Sequence, residues 1–177
     1  MLCRVGKFCG SGSHAAIEYK LPYDEFFELF VKAIINPYDL ELSQGNSIYP
    51  FYFLNEQNFL SVAAGIHRSE NNILQARLIA KDSSGDIIYS KIRGNNNELS
   101  IQKWQRWSLV IRRVYTRETT AALYLGGKNN SAPSEVSTIS YDSRSYNPKK
   151  LRVGIGFCSP NASGTIFTDN VRLSGRV

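Results

Sequence analysis

The sequence predicts an all-β fold of short antiparallel strands, closed as a sandwich or a barrel. Two observations carry that prediction. Apolar and polar residues alternate at period two along most of the chain, which turns one strand face inward and the other outward. Turn residues interrupt the alternation at short intervals, leaving about ten strand-like runs. One segment, residues 23–35, carries a competing period.

The elements follow in order. Ala15, Ile17, Tyr19 and Leu21 alternate with Ala16, Glu18 and Lys20, which predicts a strand over 15–21 that Pro22 ends. In 23–35, Phe26, Phe27, Phe30 and Ile34 have helical spacing behind a capping Asp24, whereas Phe27, Leu29, Val31, Ala33 and Ile35 alternate. Strand-like neighbours on both sides favour the extended reading. Tyr49, Phe51 and Phe53 predict a strand over 47–53, closed by the polar turn Asn55–Asn58. The run 59–66 is rich in small residues. In 73–81, Leu74, Ala76, Leu78 and Ala80 point one way and Gln75, Arg77, Ile79 and Lys81 the other. Asp82-Ser83-Ser84-Gly85-Asp86 reads as a hairpin turn with Gly85 free to take a positive φ, and 87–93 as the returning strand. Further strands are expected at 106–114, 121–126, 151–158 and 166–173. The Ser-rich stretch 129–145 reads as a long loop holding a short strand at 136–139. No repeat or linker divides the chain, so residues 1–177 are expected to form one sandwich domain.

Composition narrows the function classes. Apolar residues are 42% of 177 and charged residues 20%, so an intrinsically disordered chain is excluded. No run approaches the ~20 apolar residues of a membrane span, so no membrane insertion is expected. The net charge is +6. The nearest thing to a basic cluster, Arg106, Arg112, Arg113 and Arg117 followed by Lys149 and Lys150, sits among Trp107, Leu109 and Ile111 in a strand-like pattern, which reads as a solvated basic surface rather than a nucleic-acid footprint. The cysteines, Cys3, Cys9 and Cys158, are odd in number, which argues against a disulfide framework. A Cys3–Cys9 pair stays open beside the commoner buried thiol. The N-terminus shows no apolar signal core, which leaves the compartment open between cytoplasmic and, for a piece of a longer secreted protein, extracellular.

Two stretches carry a family resemblance. Leu99-Ser100-Ile101-Gln102-Lys103-Trp104-Gln105-Arg106-Trp107-Ser108-Leu109-Val110, with Ala122-Leu123-Tyr124-Leu125-Gly126-Gly127, resembles a Trp-centred strand pair of concanavalin A-like jelly rolls, including laminin G-like modules. Leu151-Arg152-Val153-Gly154-Ile155-Gly156, with Gly164 to Leu173, is similar to the terminal strand pair of the same superfamily. The resemblance implies a two-sheet antiparallel β-sandwich with one concave sheet, whose ligands bind on the concave face or the rim loops. These motifs describe packing and say little about activity.

The chemistry of catalysis is thinly represented. Glycosidases need two carboxyl groups facing one bond, and the same-face Glu-x-Asp-x-Glu strand of the superfamily's glucanases is absent. Asp39 and Glu41 would share a strand face, but behind Asn36-Pro37 they read as a solvated turn. The lyase strands of the superfamily also lack counterparts. His67 reads as a strand-end histidine without a visible partner. No cofactor and no metal are expected; Asp82–Asp86 offers oxygens for calcium but reads better as a turn. Aromatic residues are 12% of the chain and ten of them are tyrosines. Sugars bind to ring faces flanked by planar polar groups. The outward set Tyr52, Gln75, Arg77 and Tyr124 is the candidate ligand-binding surface. The expected function is a non-catalytic module binding an oligosaccharide or glycoconjugate. A glycoside hydrolase or polysaccharide lyase with divergent carboxylates is the first alternative. A structural or protein-interaction domain of a surface or virion assembly is the second. The sequence carries no signal for oligomeric state.

Overall fold

A computed structural model of the chain describes residues 2–5, 15–21, 26–92, 98–114, 117–127, 133–159 and 162–176. Its strands are β1 (Leu2–Val5), β2 (Ala15–Lys20), β3 (Glu28–Glu41), β4 (Ser47–Leu54), β5 (Leu60–Arg68), β6 (Leu74–Lys81), β7 (Ile87–Tyr89), β8 (Lys91–Ile92), β9 (Gln105–Arg113), β10 (Glu118–Gly127), β11 (Ser134–Asp142), β12 (Lys150–Cys158) and β13 (Ser163–Arg176). The described residues contain no helix. The larger sheet has seven strands in the order β1-β13-β3-β9-β10-β11-β8, and the smaller has six in the order β2-β12-β4-β5-β6-β7. Every pairing is antiparallel.

The alternation on each strand decides what lies between the sheets. Leu74, Ala76, Leu78 and Ala80 of β6 enter the core, as the register predicts, and meet Leu109, Ile111, Ala121 and Leu123 in one apolar cluster. Trp107 is 1% exposed within that core, and its ring lies 6.4 Å from that of Phe51 on the opposite sheet. Trp104, by contrast, is half-buried at the sandwich end, where it tilts against Phe167, which also meets Tyr38 edge-on.

Four local readings are corrected. Residues 28–41 form one strand, so Asp39 and Glu41 lie in β3 opposite Thr165 and Ser163 rather than in a turn. Pro37 is tolerated there because the ladder is irregular: Ile166 faces Pro37 and Thr165 faces Asp39, leaving Tyr38 bulged. The short strand expected at 136–139 within the 129–145 loop is the longer β11, Ser134–Asp142, which buries Val136, Ile139 and Tyr141 in the core. The run 87–93 divides at Ser90, with β7 in the smaller sheet and β8 in the larger. Ser90 makes that corner possible by taking over bonds that straight strands would have made. Its N–H donates to the Leu78 carbonyl, its Oγ accepts from the Leu78 N–H, and Ser137 Oγ donates to it across the sandwich. A short strand at Leu2–Val5, pairing with β13, has no counterpart in the sequence reading. Asp24 as a cap and a Cys3–Cys9 pair fall outside the described residues.

Trp107 gives the fold a direct test. Trp107→Ala empties the largest fully buried side chain, so it is expected to cost about 3–5 kcal/mol in denaturant unfolding. The Trp104→Ala variant should lose markedly less.

Candidate functional site

The outer face of the smaller sheet has an apolar half and a polar half. Tyr49, Tyr52, Leu54, Leu60, Ala63 and Ile79 form a second buried cluster there. The cause is local. Tyr52, Ala63, Ile79 and Tyr89 stand opposite one another in a row across β4, β5, β6 and β7. With only Ala63 and Gly65 on the middle strand, rings from the flanking strands can fold inward. Gly65 is tightly covered: a β-carbon there would overlap the Tyr49 ring and the Ile48 carbonyl oxygen.

Beyond Gly65 the face becomes polar. Arg77, which sits opposite Gly65, lays its guanidinium 4.2 Å from the centre of the Tyr89 ring. Its Nη1 lies 3.3 Å from His67 Nδ1 and 3.4 Å from Nε2. Ser47 Oγ lies 3.0 Å from the same Nδ1. Ser159 holds Ser47 in place through both backbones, and its Oγ accepts the Ser47 N–H at 2.9 Å. Arg77, Tyr89, Ser47 and Ser159 border an open pocket of about 210 Å³, with Tyr49, Ile79 and Ile87 completing the wall and His67 behind Arg77 and Ser47.

The electrostatics of this pocket are one-sided. No Asp or Glu lines it. None of the ion pairs found among the described residues involves Arg77. The buried Arg77 Nε has no hydrogen-bond partner among the described residues. Burial first, and the neighbouring guanidinium second, hold the His67 pKa below its ordinary 6.5. Burial likewise pushes the Tyr49 phenol above its ordinary 10.0. At neutral pH the pocket therefore presents one cation, the neutral Tyr49 phenol, the Tyr89 ring and hydroxyls, with the neutral His67 imidazole beside the cation. It can accept an anion and hydrogen-bond the hydroxyls around it.

The sequence-derived set is only partly assembled. Gln75 and Arg77 share the outer face of β6, where Gln75 stands opposite His67 at the margin of the pocket. Tyr52 is on the same sheet but only 3% exposed. Its phenol sits against Arg152, which pairs with Glu18 at 2.6 Å, so it floors the neighbouring apolar cluster rather than the pocket. Tyr124 belongs to β10 of the larger sheet, where its hydroxyl donates to Glu135 at 3.1 Å. It cannot flank Arg77, because alternation fixes a residue's face but not its sheet. The sequence reading did not place Ser47, Tyr49, Tyr89 or Ser159 in the site. Tyr89 was within reach: the Asp82–Asp86 turn sets Ile79 opposite Tyr89, on the face that Arg77 shares. Ser47 was not, because two register shifts interrupt the β4–β5 ladder.

The carboxylates singled out in the sequence have local duties. Asp82 accepts bonds from the Ser84 and Asp86 backbones, and Ser84 Oγ bridges Asp82 and Asp86. Glu41 accepts from Ser163 Oγ. Among the described residues no group of three His, Cys, Asp or Glu side chains is placed to hold a metal.

His67 makes the site pH-dependent. Its folded pKa is lowered, so the unfolded chain binds more protons as pH falls below 6.5. Its contribution to stability is full above that pH and declines as pH drops toward the folded pKa. Urea unfolding on either side of the ordinary histidine pKa should show this loss, and His67→Gln should flatten it.

Comparisons with known proteins bear on the fold. No family model and no curated protein matches the chain. Among solved structures, a PL-14 alginate lyase from Aplysia kurodai aligns with TM-score 0.52 at 11% identity, covering 85% of this chain and 70% of that one. A legume lectin-like domain from Entamoeba histolytica aligns with TM-score 0.50 at 10% identity, covering 99% and 87%. A polysaccharide lyase of family 18 aligns with TM-score 0.50 at 9% identity, covering 90% and 78%. Identities this low speak for architecture alone, and the matches agree with a sandwich of two antiparallel sheets. In fold, the chain is a concanavalin A-like jelly roll.

Proposed function

We propose that the chain is a carbohydrate-binding module, and that the pocket at Arg77 and Tyr89 holds an acidic sugar. The observation that carries this reading is a guanidinium without an acidic partner among the described residues, resting on an exposed aromatic ring. A sugar's C–H face packs on such a ring. The planar fork of arginine takes a carboxylate in two parallel bonds. Ser47, Gln75 and His67 supply donors and acceptors for the ring hydroxyls. The similarity in fold to a lectin-like domain and to polysaccharide lyases supports the coarser part, a carbohydrate-directed module.

A second reading, eliminative cleavage of a uronate polymer, is favoured by one arrangement. His67 is neutral at neutral pH and stands beside Arg77. In such a reaction Arg77 would neutralise the sugar carboxylate while His67 removes the proton next to it. The bond to the leaving oxygen would then break, a carbon–carbon double bond would form, and the leaving oxygen would take up a proton. Binding is preferred, because His67 is already engaged by Ser47 and Arg77.

Calorimetric titration of the chain with oligouronates and with neutral gluco-oligosaccharides tests the proposal. Oligouronates should bind more tightly. Arg77→Ala and Tyr89→Ala should each weaken binding several-fold, as expected for contacts of about 1 kcal/mol. Tyr124→Ala should have no effect. Wild-type affinity in both pocket variants would overturn the site. Accumulation of an unsaturated, ultraviolet-absorbing product that His67→Gln abolishes would decide for cleavage. No hydrolysis of β-glucans is expected.

A further inference from the structure

The outer face of the larger sheet holds two polar groups across the same three strands, one centred on a glutamate and the other on a lysine. At one end of the strand trio β13-β3-β9, Glu28 of β3 lies opposite both Arg176 of β13 and Arg112 of β9. Its carboxylate lies 2.5 Å from Arg112 Nε and 3.9 Å from Arg176 Nη1. Four residues along, the same positions are Lys32, Arg172 and Ser108. Arg106 stands next to them on β9, opposite Ile34. Here the middle strand offers a lysine where the first group has a glutamate.

The consequence is a cleft of about 430 Å³ bordered by Lys32, Arg106, Arg172, Ser108, Asn170 and Ile34, with no carboxylate in its lining. Like charges directly opposite on neighbouring strands repel. Four arginines elsewhere on the described surface are neutralised: Arg112 and Arg176 with Glu28, Arg144 with Asp142, Arg152 with Glu18. Lys32, Arg106 and Arg172 appear in none of those pairs. Asp169 lies three residues before Arg172, but its Oδ1 accepts the Asn170 N–H and it does not line the cleft. The ladder bulges between Asp169 and Arg172, and Asn170 takes a left-handed φ of 51° there.

We propose that this cleft binds a tetrahedral oxyanion, sulfate or phosphate, which supplies the negative charge that Glu28 supplies at the other end of the trio. Three cationic residues and Ser108 line the cleft in which such a group would sit. A compact anion with several acceptor oxygens suits convergent donors from three strands. The site lies on the opposite sheet from Arg77 and does not depend on what the Arg77 pocket binds.

The test uses the whole chain, with thermal unfolding and NMR amide shifts followed during titration with sodium sulfate, sodium phosphate and, at equal ionic strength, sodium chloride. Sulfate or phosphate should give a saturable response at the β3, β9 and β13 amides that border the cleft, and chloride should not. Lys32→Ala, Arg106→Ala and Arg172→Ala should each weaken the response of these cleft amides at least five-fold, whereas Tyr124→Ala should leave it unchanged. Lys32→Glu is the decisive variant. It rebuilds the Glu28 arrangement inside the cleft, so it should abolish anion binding and raise the melting temperature in anion-free, low-salt buffer. Sulfated dextran beside neutral dextran separates the sources. Displacement of sulfate by the sulfated polymer alone identifies an ester carried on a chain; displacement by neither identifies the free ion. A response to sulfate and phosphate no different from that to chloride, or one that survives Lys32→Glu, would overturn the proposal.

Discussion

The outward residues at the centre of β5 are Ala63 and Gly65, and side chains from both neighbouring strands fold over them. That lack of bulk organises the smaller sheet. It lets Tyr49 and Ile79 approach each other across β5 and makes an apolar floor on a face that would otherwise be solvated. At the edge of that floor Arg77 finds Tyr89 on one side and His67 on the other. A larger side chain at Gly65 would displace the Tyr49 ring, and with it the wall of the pocket. The backbone itself leaves little room to move, because the Ile48 carbonyl is equally close.

Charge is distributed by the same logic of near neighbours. Where an arginine crosses the sheet to a glutamate, as Arg112 does to Glu28 and Arg152 to Glu18, the pair locks two strands and leaves no free field. Such exposed or half-exposed pairs contribute modestly to stability. Among the described residues, two cations outside these pairs, Arg77 and Lys32, lie on opposite sheets.

The legibility of the fold followed the clarity of the alternation. In β6, every inward residue is apolar and small or branched, and both the strand and its register could be read directly. In β11 the signal was masked, because Ser137 is a fully buried hydroxyl whose partner, Ser90, lies on another element. Nothing local announces that such a serine faces inward. The candidate site was legible as far as one strand reaches: Gln75 and Arg77 followed from the pattern of β6. Its other members depended on pairing across strands and on the bulges in β4, which a period cannot reveal. Tyr52 and Tyr124 show the limit. Both look outward by periodicity, but one is covered by its neighbours and the other belongs to the opposite sheet.

The corner at Ser90 has a consequence for self-association. A strand at the border of a sheet exposes unpaired amides and carbonyls that can recruit another chain. Here the border strands on that side, β7 and β8, are three and two residues long, because the chain leaves one sheet for the other at Ser90. Too little ladder remains to template a foreign strand. The opposite border of the smaller sheet, β2, is six residues long and carries the exposed side chains of Ile17 and Tyr19 between Glu18 and Lys20. The sandwich is therefore asymmetric toward other chains: one flank is closed by its own path, and the other relies on charged side chains to keep neighbours away.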